Sequence, residues 1–142
     1  MIERYQLDGG TVPALPCPHD CVIRRIAFDD DFIVFYFEHQ VHRRDSVSQR
    51  HPECDTLIMR YHLFDPEFCT YRQIRHLTRL GARLGRRGYY EIQNKTLLRR
   101  SRYPLEFLYQ RAARRSVLIT LWRGEFILIN AEVDWVEYEW ID

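Results

Sequence analysis

The sequence predicts an α+β domain that is mainly antiparallel β, with about seven or eight strands in a sandwich or open barrel and one amphipathic helix near residues 70–86. Short runs rich in Val, Ile, Phe and Tyr recur along the chain, and turn-forming residues separate them. A single stretch instead shows the period of an α-helix. At 142 residues the chain is long enough for one hydrophobic core, so residues 1–142 are expected to form one domain.

The N-terminal half carries a clear hairpin pattern. The runs 22–28 and 32–38 are β-branched or aromatic, and three Asp residues at 29–31 favour a turn between them. Both faces of the second run are apolar, which predicts a strand covered on both sides. Residues 54–64 form a further strand candidate, and Asp65-Pro66 is expected to end it.

Residues 70–86 carry the helical period. Thr70 and Gln73 have the spacing of a capping box. At about 100° per residue, four apolar side chains fall within an arc of about 120°, and five arginines fall within about 80° on the opposite side. The apolar residues are Ile74, Leu77, Leu80 and Leu84, and the arginines are Arg72, Arg75, Arg79, Arg83 and Arg86.

The period returns to two in the last third of the chain. The strand candidates are 89–93, 105–111, 116–122, 125–130 and 132–140. Arg123-Gly124 predicts a tight hairpin between the third and fourth of these. The closing segment needs a bulge at 135–136 if its apolar residues are to keep to one face.

The charge is strongly polarised along the chain, although the net charge is only +1. Residues 1–70 carry −5, residues 71–115 carry +11, and residues 116–142 carry −5. This pattern indicates either a surface for an anionic partner or charged faces that neutralise each other inside the domain.

Composition excludes several classes of protein. No apolar run approaches the ~20 residues of a membrane span, and the first residues lack the layout of a signal peptide. A cytoplasmic protein without a membrane partner is therefore expected. Its four cysteines, Cys17, Cys21, Cys54 and Cys69, are then expected to be thiols.

Residues 17–21 hold the densest cluster of potential ligands, with two thiols, an imidazole and a carboxylate. A zinc site needs a second pair of ligands at suitable spacing, and only His51 and Cys54 approach one. A nucleophile–base pair needs a third orienting group, which the sequence does not identify. The alternative is a Pro-rich turn in which His19 and Asp20 bond backbone groups. We therefore expect no metal, no cofactor and no catalytic residue.

The arginine face predicted for residues 70–86 has two interpretations. Clustered guanidiniums attract phosphates, so the face indicates nucleic-acid or other polyanion binding. Alternatively, these side chains form the solvated side of an amphipathic helix, and the acidic residues of 132–139 lie beside basic strand positions such as Arg111.

The segment 15–26, which contains Cys-Pro-His-Asp-Cys, is followed by an acidic turn and the aromatic run 32–37. This opening resembles that of small uncharacterised bacterial β-rich domains, some of which are similar to immunity proteins of polymorphic toxin systems. The resemblance implies a compact domain that acts by binding. Only His19, Asp20 and Cys21 match the motif, and it assigns them no chemistry.

These patterns lead to one functional expectation with one alternative. The first is a non-enzymatic binding domain, immunity-like in its opening, that recognises a protein partner. The alternative is a module that binds nucleic acid or another polyanion through the arginine-rich helix and the segment after it.

Overall fold

The computed structural model describes residues 1–39, 41, 50–74, 89–91 and 104–142. The strands are β1 (Ile2–Gln6), β2 (Cys21–Phe28), β3 (Phe32–Phe37), β4 (Thr56–Ile74), β5 (Tyr89–Glu91), β6 (Leu105–Ala113), β7 (Ser116–Trp122) and β8 (Phe126–Ile141). These residues include no helix, so the part of the chain that is described is all-β and the expected α+β class is wrong there. It follows that no helix in this part has the length and apolar character needed to cross a bilayer.

Six strands close a barrel in which every pairing is antiparallel. Around the barrel the order is β8, β7, β6, β2, β3 and β4, and β4 pairs again with β8. The shortest join is between β2 and β6, with three residue pairs from Cys21–Phe107 to Ile23–Leu105. The expected sandwich or open barrel is therefore corrected to a closed barrel.

The long strand β8 organises the barrel. One of its edges pairs with β4 along almost the whole strand. Its other edge pairs first with β7, through Glu132, and then with β1, from Trp135 onward. β1 therefore continues the line of β7 without belonging to the six-stranded ring, and β5 extends the far end of β4.

The expected helix is contradicted at its first turn. Residues 70–74 belong to β4, and they pair with residues 126–130 of β8. The side chain of Tyr71 is buried in the core. A capping box contributes only about 1 kcal/mol, so pairing with β8 and burial of Tyr71 outweigh the local helical signal. Residues 75–86 of the expected helix lie outside the described residues.

Asp65-Pro66 does not end β4. Residues 66–68 instead bulge out of the strand in an excursion, after which β4 continues to Ile74. Asp65 pairs with Glu132 and Cys69 pairs with Ala131, so the three residues between Asp65 and Cys69 have no partner on β8. A proline in such an excursion removes no ladder hydrogen bond. The Asp65 carboxylate accepts a hydrogen bond from the backbone N–H of Glu67 at 3.1 Å, which orders the excursion.

Both expected hairpins are confirmed. The Asp29 carboxylate accepts hydrogen bonds from the backbone N–H groups of Asp31 (2.9 Å) and Phe32 (2.6 Å), which fixes the turn between β2 and β3. Between β7 and β8, Gly124 has a φ of +71°, a conformation that glycine adopts without steric cost.

The phase slip expected in β8 is present, one residue earlier than predicted. His62 pairs with Trp135 and Leu63 pairs with Val133, so Asp134 is the extra residue. The residues of β8 buried on the two sides of this bulge are Ile127, Ile129, Ala131 and Val133, and then Val136, Tyr138 and Trp140. The bulge therefore keeps the apolar side of a 16-residue strand turned to the core along its length.

Three aromatic rings meet at the centre of the barrel. Phe35 packs edge-on against Tyr61 at 5.6 Å and against Phe107 at 5.8 Å, and all three side chains are fully buried. Burying side chains of this size contributes about 2–3 kcal/mol each, so the lumen is a packed core.

Candidate functional site

The motif at residues 17–21 lies in the arm that joins β1 to β2, where it satisfies the backbone of β6. Leu108 is the extra residue of a bulge in β6, because Phe107 and Tyr109 pair with adjacent residues of β7. The free carbonyl of Leu108 accepts a hydrogen bond from His19 Nδ1 at 2.6 Å and from Cys17 Sγ at 3.4 Å. The bulge creates an acceptor that the ladder leaves unpaired, and the arm supplies its donors.

Asp20 and Cys21 complete the turn into β2. Asp20 has a φ of +61°, and its backbone N–H donates to the carbonyl of Phe107 at 2.8 Å. The backbone N–H of Cys21 donates to the carbonyl of Pro18 at 3.1 Å, and its side chain is buried. Burial also raises the pKa of the Cys17 thiol, which disfavours the thiolate that a nucleophile requires.

A buried polar network anchors the arm to the core. The Tyr61 hydroxyl donates to Gln110 Oε1 at 2.6 Å. Gln110 Nε2 and the Tyr138 hydroxyl both donate to the carbonyl of Pro16, at 3.0 Å and 2.6 Å. Burial raises the pKa of both tyrosines well above the ordinary value. The network holds the arm along the edge of β6 that β2 leaves unpaired.

None of the four cysteines forms a disulfide bond. Among the residues that the structure describes, no group of three or more His, Cys, Asp or Glu side chains is arranged to hold a metal ion. The Asp29–Asp31 triplet forms the β2–β3 turn described above. The motif at residues 17–21 and the Asp29–Asp31 triplet therefore both have structural roles in the described part of the chain.

The predicted arginine face is not assembled in the described residues. Arg72 lies on β4 with an exposed side chain, in register with Leu128 of β8. The other four arginines, Arg75, Arg79, Arg83 and Arg86, lie outside the described residues. Polyanion binding through these side chains stays a prediction, whereas a helix that includes Arg72 is wrong.

Acidic side chains of β8 pair with arginines from the N-terminal half. Glu137 accepts from Arg4 at 2.8 Å and from Arg60 at 3.3 Å, and Arg60 also contacts Glu139 at 2.6 Å. These residues form a cross-strand row over β1, β8 and β4. Arg111 is in register with Leu118 instead, so it is not the neutralising partner that the sequence suggested.

An aromatic stack lies beside this row on the outer side of the barrel. The rings of His62 and Trp135 are parallel with centroids 4.9 Å apart, and the Arg4 guanidinium lies over the Trp135 ring at 4.0 Å. Phe32 packs edge-on against both rings, at 5.1 Å and 5.5 Å. His62 Nδ1 lies 2.6 Å from a carboxylate oxygen of Asp134, which fixes the imidazole. The four side chains hold one another in a defined arrangement.

Phe64 extends this surface along β4. It follows His62 by two residues and, like His62, points away from the core, because Tyr61 and Leu63 are the buried residues of this stretch. Its side chain is 53% exposed, and the guanidinium of Arg115 lies 5.2 Å from its ring centroid. We call the surface formed by Arg4, Phe32, His62, Phe64, Arg115 and Trp135 the aromatic face.

Arg115 occupies a strained position in the turn between β6 and β7. Its φ of +57° costs a non-glycine residue on the order of 1 kcal/mol. Its backbone N–H donates to Leu7 at 2.8 Å, and its carbonyl accepts from Val133 at 3.0 Å. Because both groups are bonded, the turn holds Arg115 between the first residue of β7 and the last residue of β1.

Phe68, four residues after Phe64, is a second exposed ring. It lies in the excursion of β4 and is 62% exposed. Phe64 and Phe68 therefore add exposed aromatic area beside the ring stack, and contiguous apolar area of this kind is typical of interaction sites.

A second polar cluster lies near the end of β1. The Glu3 carboxylate accepts from the Tyr5 hydroxyl at 2.7 Å, contacts Arg50 Nε at 3.2 Å, and bonds His51 Nε2. Burial would raise the pKa of Glu3, but these hydrogen bonds and cations outweigh it and lower the pKa. The same burial and the bond to Glu3 raise the pKa of Tyr5 to about 12. The His51 ring packs on Trp140 at 4.7 Å, so the cluster ties the segment before β4 to the barrel.

Comparisons with models of protein families, with curated proteins and with solved structures each found no match. The resemblance of residues 15–37 to immunity-like openings therefore stays a prediction, and function has to be inferred from the geometry of the site.

The aromatic face was not predicted from the sequence. Trp140 is buried in the core, whereas Trp135 lies on the outer side beside the bulge. The phase slip at 135–136 was the available signal, because it left the side of Trp135 undecided. Phe64 lies just before the excursion of β4, and the sequence does not reveal on which side of the strand its side chain then lies. No local pattern brings Arg115 to Phe64.

Proposed function

We propose that this chain is a protein-binding domain without catalytic activity, and that its partner docks on the aromatic face. The observation that carries the proposal is the exposure of Phe64, which lies next to a stack of rings that are already ordered. Covering the exposed part of Phe64 and of Phe68 would contribute roughly 1 kcal/mol or more each.

The composition of the aromatic face supports this proposal. Trp, Phe, His and Arg side chains supply large contact areas, and aromatic residues and arginine are enriched at the cores of protein interfaces. The stack between Arg4 and Phe32 is held by ring contacts and by the bond to Asp134. Side chains that are ordered before binding lose less conformational entropy when the partner arrives.

The resemblance at residues 15–37 supports a particular form of the proposal. If the domain acts as an immunity protein, its partner is a toxin that it binds and blocks. In this chain the motif residues His19 and Cys21 bond the backbone of the arm and of β6. Under the proposal they maintain the barrel, and the aromatic face makes the contact.

A two-hybrid screen against genome fragments from the source organism tests the proposal. The variant Phe64→Ser/Phe68→Ser removes two exposed rings and should change stability by no more than about 0.5 kcal/mol. The matched control, Tyr109→Ser/Leu118→Ser, removes two side chains that are 48% and 36% exposed outside the aromatic face.

We expect interacting fragments that bind the wild type and the control but not the Phe64→Ser/Phe68→Ser variant. Circular dichroism and thermal unfolding should show that both variants are folded. The proposal is wrong if every interacting fragment binds the Phe64→Ser/Phe68→Ser variant as well as the wild type.

A further inference from the structure

Arg115 differs from the other polar side chains of the aromatic face in its electrostatic surroundings. Arg4 contacts Glu137 at 2.8 Å, and His62 contacts Asp134 at 2.6 Å. Within the described part of the chain, Arg115 stacks on Phe64 and forms no ion pair with a carboxylate. Its neighbour Arg114 is exposed and likewise has no ion pair among those residues. This end of the aromatic face therefore carries two guanidiniums that form no ion pair with a carboxylate of the described residues.

The backbone of Arg115 supplies a second, independent observation. Glycine or asparagine would occupy its left-handed conformation at little cost, and a two-residue turn between Ala113 and Ser116 does not require an arginine. Strained residues that the surrounding structure holds in place are concentrated at functional sites. The backbone conformation of the turn does not favour an arginine at position 115. The reason for an arginine there therefore lies in what its side chain does.

We propose that Arg115 determines the specificity of the aromatic face, and that the partner presents a carboxylate beside an apolar side chain. The inference rests on the proposed function and adds the chemistry of the partner. The apolar side chain packs on the exposed ring of Phe64 and against the edge of Trp135, whose two faces His62 and Arg4 cover. The carboxylate accepts two parallel hydrogen bonds from the Arg115 guanidinium, a geometry that arginine provides and lysine does not.

Charge complementarity is the reason for choosing an acidic partner. A guanidinium that lies on a ring keeps its N–H groups at its edges, where an incoming carboxylate can accept them. A basic partner would be repelled by Arg115 and Arg114 together. A purely apolar partner would cover the guanidinium without supplying an acceptor, which carries a desolvation cost.

Selection from random peptides displayed on phage tests this inference with a defined probe. Peptides are selected on the immobilised wild-type domain, and their affinities are then measured over a salt series for four variants. The variants are Arg115→Asn, Arg115→Lys, Arg114→Asn and Phe64→Ser/Phe68→Ser. Asparagine tolerates the left-handed backbone, so Arg115→Asn should melt no lower than the wild type.

We expect the selected peptides to contain Asp or Glu next to an apolar residue. Arg115→Asn should weaken their binding about tenfold and flatten its dependence on salt, as expected for the loss of one charge-assisted contact. Arg115→Lys should restore only part of the affinity. Arg114→Asn, which removes the same charge from the adjacent residue, should change the affinity by less than about threefold.

The outcomes separate the two proposals. Peptides that lose affinity for Phe64→Ser/Phe68→Ser but bind Arg115→Asn as tightly as the wild type overturn the role of Arg115 alone. An equal loss with Arg114→Asn also overturns it, because the effect would then be general electrostatics. Peptides that bind Phe64→Ser/Phe68→Ser unchanged, or a selection that enriches none, contradict the proposed function itself.

Discussion

Glu3 shows how a single carboxylate can tie together separate parts of the barrel. It belongs to β1, and the donors that hold it come from Tyr5 and from Arg50 and His51 in the segment before β4. Its lowered pKa means that the unfolded chain binds a proton more readily than the folded one in the acid range. The stabilisation from Glu3 is therefore present at neutral pH and decreases as the pH falls through the lowered pKa.

The variant Glu3→Gln tests this linkage. We expect it to be less stable than the wild type at neutral pH, and we expect the difference to shrink below the ordinary carboxyl pKa of 4.5. Urea unfolding across a pH series measures the difference. The control is Glu53→Gln, whose carboxylate is 60% exposed and 3.7 Å from the same histidine, and which should change stability by about 0.5 kcal/mol or less. A Glu3→Gln difference that does not depend on pH would contradict this account.

Among the elements, the arm between β1 and β2 reinforces the barrel where β2 pairs only briefly with β6. β2 and β6 share only three residue pairs, and the arm bonds the part of β6 beyond them. Gln110 is central to this contact, because Tyr61, Pro16 and Tyr138 all bond its side-chain amide.

Gln110→Ala should therefore lower the free energy of unfolding by roughly 2 kcal/mol or more, since the buried Tyr61 hydroxyl loses its acceptor. The matched control is Gln6→Ala, on the exposed side of β1, which should be nearly neutral. Urea unfolding of both variants gives the comparison. If Gln110→Ala is as mild as Gln6→Ala, the network does not anchor the arm.

Elements with a two-residue period and clear turn chemistry could be predicted from the sequence. The β2–β3 hairpin and the β7–β8 hairpin follow from their Asp and Gly turns, and the bulge in β8 follows from its phase slip. β1 could not be predicted, because polar residues occupy both of its faces. Glu3 stands at a partly buried position, so apolar and polar residues do not alternate along the strand.

The helix was wrong at residues 70–74 because the deciding interaction is not local. These residues are between 52 and 60 positions from their partners on β8, and nothing in the intervening sequence signals the pairing. The aromatic face could not be predicted for the same reason. Phe64 and Arg115 meet only because β4, β8 and the β6–β7 turn converge in the closed barrel.

For the molecule as a whole, the polarised charge takes a definite form. The acidic residues Glu137 and Glu139 near the C-terminus pair with Arg4 and Arg60 of the N-terminal half. Within the described ranges, Arg111, Arg114 and Arg115 of that segment form no ion pair with a carboxylate. The basic charge at the β6–β7 turn therefore faces outward, which agrees with the acidic partner that we propose.

Oxidative footprinting of aromatic side chains tests the central claim most directly. The domain is exposed to hydroxyl radicals alone and with a peptide selected on the wild type, and oxidation of each ring is measured by mass spectrometry. The account predicts that the peptide protects Phe64 and Trp135 and leaves Tyr109, which is 48% exposed outside the aromatic face, unchanged. Protection of Tyr109 with unaltered oxidation of Phe64 and Trp135 would contradict it.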